Sequence, residues 1–158
     1  MGDKINPIRE TDGDARALAQ GLLKTARFAS LGVIDPETAS PMVTRIALVC
    51  AADGAPMSLI SDLSLHSTAL AANPACSLLV GEVEAKGDPL THPRLTLQAR
   101  ATAADKQALK AHYLSAYPKA KLYYDFGDFR LIRFELSHAF LNGGFGKAYH
   151  LTPSDLIG

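Results

Sequence analysis

The chain has 158 residues, 47% of them apolar, and its 16 Lys and Arg balance 16 Asp and Glu. This length suits a single domain with one core, so we expect one domain over residues 1–158, beginning with a polar segment at residues 1–12. A net charge of zero disfavours a protein that binds nucleic acid, since such proteins normally carry a basic excess. The longest uncharged stretch, residues 63–81, contains polar residues and Pro74, so we expect no membrane partner.

The N-terminal residues and the cysteines bear on the cell compartment. Residues 1–10 lack the apolar core of a signal peptide, so we expect a cytoplasmic location. Cys50 and Cys76 lie inside apolar runs and lack both metal-ligand spacing and the density of a secreted disulfide scaffold, which favours two buried thiols. The histidines show no zinc-binding spacing, so we expect no metal site; they are His66, His92, His112, His138 and His150.

Hydrophobic spacing predicts a helix and then three strands in the first half of the chain. Small and apolar residues recur at helical spacing over residues 15–26, behind T-D-G-D, which offers N-cap side chains. The period then becomes two in F-A-S-L-G-V-I and in M-V-T-R-I-A-L-V-C, with D-P-E-T between them, which predicts a β-hairpin. A short strand, M-S-L-I-S, follows, and Ser64 starts a helix that ends at Asn73.

The second half is predicted to contain further strands and one helix. C-S-L-L-V-G-E-V predicts a strand, and R-L-T-L-Q-A-R-A-T alternates without error, so its Leu and Ala side chains face inward. A helix is expected from Asp105 to before Pro118, and two strands, F-R-L-I-R-F-E-L and A-F-L-N, precede N-G-G-F-G and K-A-Y-H-L. Short connections make adjacent strands pair antiparallel. About seven short strands indicate a closed or nearly closed barrel with helices at its ends.

Two features of the sequence are candidates for binding an anion. The segment L-I-S-D-L-S-L-H-S-T-A-L, residues 59–70, ends a strand with hydroxyls and starts a helix, and free amides at a helix N-terminus attract phosphate. The alternative is that the serines only cap the helix. Arg45 and Arg94 lie in alternating strands, where a guanidinium faces either a bound anion or solvent. No Ser stands in G-x-S-x-G, so the sequence offers no catalytic nucleophile.

Taken together, several segments resemble the FMN-binding split barrels of the pyridoxamine 5'-phosphate oxidase superfamily. They are F-A-S-L-G-V-I, P-M-V-T-R-I-A-L-V, L-I-S-D-L-S-L-H-S-T-A-L-A-A-N-P-A-C-S-L-L-V and P-R-L-T-L-Q-A-R-A, and the resemblance runs over about residues 15–151. H-S-T-A-L and L-N-G-G-F-G-K-A are most similar to the haem-utilisation, HugZ-like branch. The resemblance implies an α+β protein, mainly β: an antiparallel six-stranded split β-barrel flanked by short helices. It also implies a homodimer with FMN at the subunit interface.

The resemblance further implies a cofactor site at the ends of several strands and one helix start. Arg45 would be directed to the FMN phosphate, and Arg94 matches a polar residue that contacts the ring. His66 and Ser67 match the position at which true oxidases carry an Arg-Lys pair that holds the phosphate. The full set implied for cofactor binding is Arg45, Ile46, Ile60, Ser61, His66, Ser67 and Arg94.

The function implied by the resemblance is that of an FMN-binding protein, a flavin-dependent oxidoreductase of unknown substrate. It is not a true pyridoxamine phosphate oxidase, because the C-terminal R-x-H motif of those enzymes is missing from H-L-T-P-S-D-L-I-G. The alternative is a haem-binding protein of the HugZ-like type, in which His150 would be the iron ligand. A further alternative is a barrel that acts as a binding module without a cofactor.

Overall fold

The computed structural model describes residues 6–158. Residues 1–5, the first part of the expected polar segment, lie outside the described residues. The chain forms three α-helices: α1 (Gly13–Thr25), α2 (Leu65–Ala72) and α3 (Lys110–Ala116). Short 3-10 helices follow at Pro89–Thr91, Pro118–Leu122 and Pro153–Asp155. The strands are β1 (Ile8–Arg9), β2 (Phe28–Ile34), β3 (Pro41–Ala47), β4 (Val49–Cys50), β5 (Pro56–Ser61), β6 (Ala75–Val80), β7 (Arg94–Ala103), β8 (Phe129–Asn142) and β9 (Ala148–Leu151).

One sheet contains all nine strands, in the order β1-β9-β8-β7-β6-β2-β3, with β5 paired to β8 and β4 paired to β5. Every pairing is antiparallel except β1 with β9. Six strands have six residues or more, as the six-stranded prediction requires, and the short β1, β4 and β9 are additional. Over residues 6–158 the ladder does not close into a ring, because β3 has no second partner. The predicted α+β split-barrel fold class is confirmed.

Two clusters of buried side chains lie on either side of β5. Helix α1 begins where the Asp12 side chain accepts a hydrogen bond from the Ala15 amide at 2.8 Å, and it packs one apolar face on the larger cluster. The smaller cluster lies under α3 and includes Met57, Tyr113 and Tyr124. Because β5 is buried on both faces, it fixes the position of the strand end that leads into α2.

Strand β8 differs from the prediction. The segments F-R-L-I-R-F-E-L and A-F-L-N were expected as two strands, but they form one strand of 14 residues. The register against β7 shifts between Gln98 and Ala99, which pair with His138 and Leu136, so Ser137 is an extra residue in a β-bulge. The Ser137 hydroxyl donates to the Gln98 carbonyl at 3.1 Å. In the sequence, a bulge and a strand end look alike, because both interrupt the period-two pattern. The polar Ser137 and His138 were therefore expected to separate two strands.

Helix α3 is shorter than predicted. It starts at Lys110, because residues 106–109 form turns, and the Asp105 side chain accepts from the Ala108 amide at 3.0 Å. The two-residue strand β1 was not predicted, since so short a strand leaves no periodic pattern in the sequence. No helix within residues 6–158 is long and apolar enough to cross a membrane.

Both cysteines are free thiols, and the predicted burial is confirmed for Cys76 but not for Cys50. Cys76 is buried, whereas Cys50 is half-buried and donates to the Leu23 carbonyl at 3.4 Å. Burial raises the pKa of each thiol to about 11, so neither is a reactive thiolate at neutral pH.

Candidate functional site

The start of α2 brings together three of the predicted site residues, Ser61, His66 and Ser67, which we call the α2 cluster. Ser61 is the last residue of β5, and its carbonyl accepts a hydrogen bond from the buried Ser67 hydroxyl at 2.5 Å. His66 Nδ1 lies 3.0 Å from the Thr44 hydroxyl of β3. Because β5 leads into α2 through a turn of only three residues, these side chains are held close to the strand end.

The electrostatics of this cluster do not suit a phosphate dianion. The Ser61 hydroxyl donates to the Asp128 carboxylate at 3.1 Å, so a negative charge already lies beside it. Burial lowers the pKa of His66, which favours the neutral imidazole. The Ser67 hydroxyl is committed to the Ser61 carbonyl, and Ser64 is the N-cap residue but makes no side-chain cap bond. The nearby cation, Arg130, is paired with Asp62 in the turn before α2. The Ser61, His66 and Ser67 side chains therefore offer a phosphate neither a positive charge nor a free hydroxyl from Ser67.

Arg45 lies apart from the α2 cluster. Thr44, which meets His66, and Arg45 are neighbours in β3 and so point to opposite faces of the sheet. The Arg45 guanidinium lies over the ring of Phe28, 5.4 Å from its centroid. It lines a pocket of about 390 Å³ with residues from the start of β2 and from the segment after α3.

The other predicted residues are also separated from the α2 cluster. Ile46 and Ile60 are core residues with 4% and 3% exposure, so their side chains face the interior. Arg94 donates from Nη1 to the carbonyls of Leu90 and His92 at 3.1 and 3.2 Å, which fastens it to its own loop. The structure thus joins Ser61, His66 and Ser67 but leaves Arg45 and Arg94 elsewhere.

His150 lies on β9, on an exposed part of the sheet. Its ring stacks on that of Phe140, with centroids 4.7 Å apart and planes 15° apart. The ring of His138 is also near, with its centroid 5.5 Å from that of His150. The Thr11 hydroxyl donates to the His150 carbonyl at 3.0 Å. The backbone and the two flanking rings therefore hold an imidazole at the surface.

Some residues beside the predicted ones were missed from the sequence. Arg27 and Lys119 line the same pocket as Arg45, although they are far from it in the chain. His138 and Phe140 lie beside His150 through β8–β9 pairing. The only local signal was the P-K-A-K run at residues 118–121, which looks like an ordinary solvated segment.

Comparisons with known proteins give a family and several relatives. A family model described as "CREG, beta-barrel" matches residues 10–157. The non-canonical heme oxygenase HOZ of Arabidopsis thaliana chloroplasts is 38% identical over 100 residues, which is 60% of this chain and 29% of that protein. The solved Atu2129 protein of Agrobacterium tumefaciens, of unknown function, is 32% identical with a TM-score of 0.82, covering 94% of this chain and 62% of that one.

A solved heme binding protein of Mycobacterium smegmatis is 25% identical, with a TM-score of 0.81. The match covers 92% of this chain and 60% of the Mycobacterium chain. A solved Clostridium acetobutylicum protein of the pyridoxinephosphate oxidase family is 12% identical, with a TM-score of 0.67. The match covers 92% of this chain and 99% of the Clostridium chain, and it shows the shared fold alone. The resemblance to this superfamily and to its haem-utilisation branch is confirmed. The chain spans less than two thirds of the length of the plant, Agrobacterium and Mycobacterium relatives.

Proposed function

The chain belongs to the CREG β-barrel family, and we propose that it is a haem-binding member of that family that takes part in haem utilisation. The observation that carries the proposal is His150, an exposed imidazole flanked by Phe140 and His138. Imidazole is a common axial ligand of haem iron, and the stacked Phe140 ring holds the His150 imidazole in one orientation. Two relatives support it by name, one a heme oxygenase and one a heme binding protein. Because this chain spans only part of each relative, haem binding by this chain is a proposal.

The residues beside His150 divide between the two faces of the sheet. Arg9 on β1 is in register with Tyr149, so by alternation it shares the face opposite to His150. Phe140 is in register with His150 and stacks on its ring. When bound, haem would supply a redox-active iron. The chain itself would hold that group through His150, and Phe140 would hold the imidazole in place.

A hemin titration followed by absorbance tests the haem proposal. We expect saturable binding with a Soret band, and at least about tenfold weaker binding with a shifted band for His150→Ala. His112→Ala is the matched control, because His112 lies on α3 and bonds to the Cys50 carbonyl. An unchanged spectrum and affinity for His150→Ala, with both variants folded, would rule out His150 as the ligand.

A flavin-dependent oxidoreductase is the second candidate, favoured by the Arg45 guanidinium and the Phe28 ring at one pocket. If FMN binds there, Arg45→Ala weakens FMN by about tenfold or more and leaves riboflavin nearly unchanged, since only FMN carries the phosphate. Equal losses for both ligands would contradict a phosphate role. The absorption spectrum of the purified protein separates the candidates: a Soret band, flavin bands, or neither, as expected for a binding module without a cofactor.

We also propose that the protein is a cytoplasmic homodimer. The outer face of β2, β3 and β6 carries exposed apolar side chains, namely Phe28, Ile34, Val43 and Leu79. A self-complementary apolar patch suits a two-fold interface. The turn between β8 and β9 is the expected contact across that interface, and its Phe145 is 85% exposed.

A further inference from the structure

Two exposed histidines lie side by side on neighbouring strands of the sheet. His138 is on β8 and His150 is on β9, and their ring centroids are 5.5 Å apart with planes tilted by 31°. They are distant in the chain and meet only because β8 and β9 pair, so no short metal-binding motif contains both. We call these two residues the histidine pair.

The histidine pair differs from the other three histidines in its hydrogen bonds. The others each bond to the protein through the ring, by Nδ1 of His66, by both ring nitrogens of His92 and by Nε2 of His112. Within residues 6–158, no ring nitrogen of the histidine pair has a hydrogen-bond partner. A neutral imidazole has one nitrogen with a free lone pair, which is the atom that binds a metal ion. The histidine pair therefore offers two such atoms on one surface.

The ring of Phe140 restrains one member of the histidine pair. Phe140 is in direct register with His150, and their rings stack with centroids 4.7 Å apart and planes 15° apart. A metal ion approaches an imidazole nitrogen in the plane of the ring, so a second ring on its face does not block it. Because stacking limits the rotation of the His150 ring, less entropy is lost when a ligand binds.

The spacing of the two rings suits coordination of one ion. Metal–nitrogen bonds of about 2.1 Å at a tetrahedral angle place two imidazole centroids about 5 Å apart, close to the 5.5 Å observed here. Pairing of β8 with β9 fixes the two backbones, so only small side-chain rotations are needed. Within residues 6–158, no third His, Cys, Asp or Glu joins the pair to form a larger group of ligands. Water would therefore complete the coordination of a bound ion.

We propose that the histidine pair binds a divalent transition metal ion such as Zn²⁺, Cu²⁺ or Ni²⁺. Imidazole suits these ions, whereas Mg²⁺ and Ca²⁺ prefer oxygen ligands. The sequence-based expectation of no metal site rested on short motifs, which cannot detect two ligands joined by strand pairing. The inference does not depend on the haem proposal, although both use His150.

A zinc titration followed by NMR of the imidazole nitrogens tests this inference. With ¹⁵N-labelled protein and ZnCl₂ at neutral pH, we expect the ring nitrogens of His138 and His150 to shift together and to saturate at one ion per chain. The rings of His66, His92 and His112 should not shift, because the protein already bonds them. MgCl₂ should leave all five histidines unchanged.

Removing either imidazole should weaken zinc binding by at least about tenfold, because two ligands held together bind one ion far more tightly than one ligand does. The variants are His138→Gln and His150→Gln. His112→Gln is the matched control, because the exposed His112 lies on α3 and bonds to the Cys50 carbonyl. The control should bind zinc as the wild type does.

Three outcomes would overturn the inference: no saturable shift up to about 1 mM ZnCl₂, the weak end of specific binding; unchanged zinc affinity in His138→Gln; or equal weakening by His112→Gln and His138→Gln. The wild-type titration decides the question even if a variant fails to fold.

The zinc and haem proposals are distinguished at His138. Zinc binding requires both rings, whereas haem ligation requires only His150, so His138→Gln should lose zinc and keep a hemin affinity close to that of the wild type. A protein that binds no hemin would still be expected to bind zinc, and loss of zinc binding would leave the hemin spectra unchanged.

Discussion

Ser67 illustrates how one hydrogen bond limits what a predicted site residue can do. The resemblance placed it at the cofactor phosphate, but the structure buries it to 1% exposure and directs its hydroxyl to the Ser61 carbonyl. We predict that Ser67→Ala lowers the free energy of unfolding by about 1 kcal/mol, because it removes this hydrogen bond, although the Ser61 carbonyl keeps the Ser64 amide as a donor at 3.1 Å. Urea denaturation measures this change. Unchanged stability together with weaker FMN or phosphate binding would restore a ligand role for Ser67.

The Asp155 carboxylate makes the stability of the fold depend on pH in the acid range. It accepts from Arg16 Nε at 2.7 Å and from the Thr152 amide at 2.8 Å, and these hydrogen bonds hold its pKa below the usual value of 3.8. A depressed pKa stabilises the fold above the unfolded-state pKa, and this stabilisation is lost as the pH falls through the folded-state pKa. We predict that Asp155→Asn lowers the urea midpoint at pH 7 and that the deficit shrinks below about pH 3.8. A deficit independent of pH would contradict this.

At the scale of elements, replacing either of two glycines with alanine should change stability in opposite directions, because only one of them requires glycine. Gly81 follows β6 with φ +118°, and a Cβ there would lie 2.5 Å from the Pro93 carbonyl oxygen, so both conformation and space require glycine. We predict that Gly81→Ala destabilises the protein by about 2 kcal/mol or more. Gly21, within α1, has no atom within 4 Å of such a Cβ. Gly21→Ala should stabilise by about 0.5–1 kcal/mol, and thermal melts that reversed this order would contradict the backbone assignment.

The elements that sequence predicted best are those whose pattern is local. Alternation and a turn sufficed for the β2–β3 hairpin, and helical spacing behind Asp12 sufficed for α1. The α2 cluster was also found, because His66 and Ser67 follow Ser61 closely in the chain. The pocket beside Arg45 was not predicted, since its lining residues Arg27 and Lys119 come from distant parts of the chain. Pairings of that kind leave no periodic signal.

For the whole molecule, the proposed dimer can be tested at the apolar outer face of the sheet. Val43 is 70% exposed and in register with Gly32. We predict that Val43→Glu converts a dimer into a monomer in sedimentation analysis, because two charges would be brought together at a two-fold axis. Leu63→Glu is the control, since Leu63 is 87% exposed in the turn before α2. A monomeric wild-type protein at micromolar concentration would contradict the dimer.

The bulge at Ser137 decides which side of the molecule His138 and Phe140 reach. Before it, Phe134 is buried and Leu136 packs on the core; after it, Ala139 and Leu141 are buried instead, so the inward parity changes from even to odd numbers. A strand that kept Ser137 but lacked the bulge would continue the even-numbered parity and turn the imidazole and the phenyl ring inward. The stacked surface around His150 therefore depends on the bulge that takes up one extra residue, and deletion of Ser137 would leave an unbroken alternation with both rings still on the outer face.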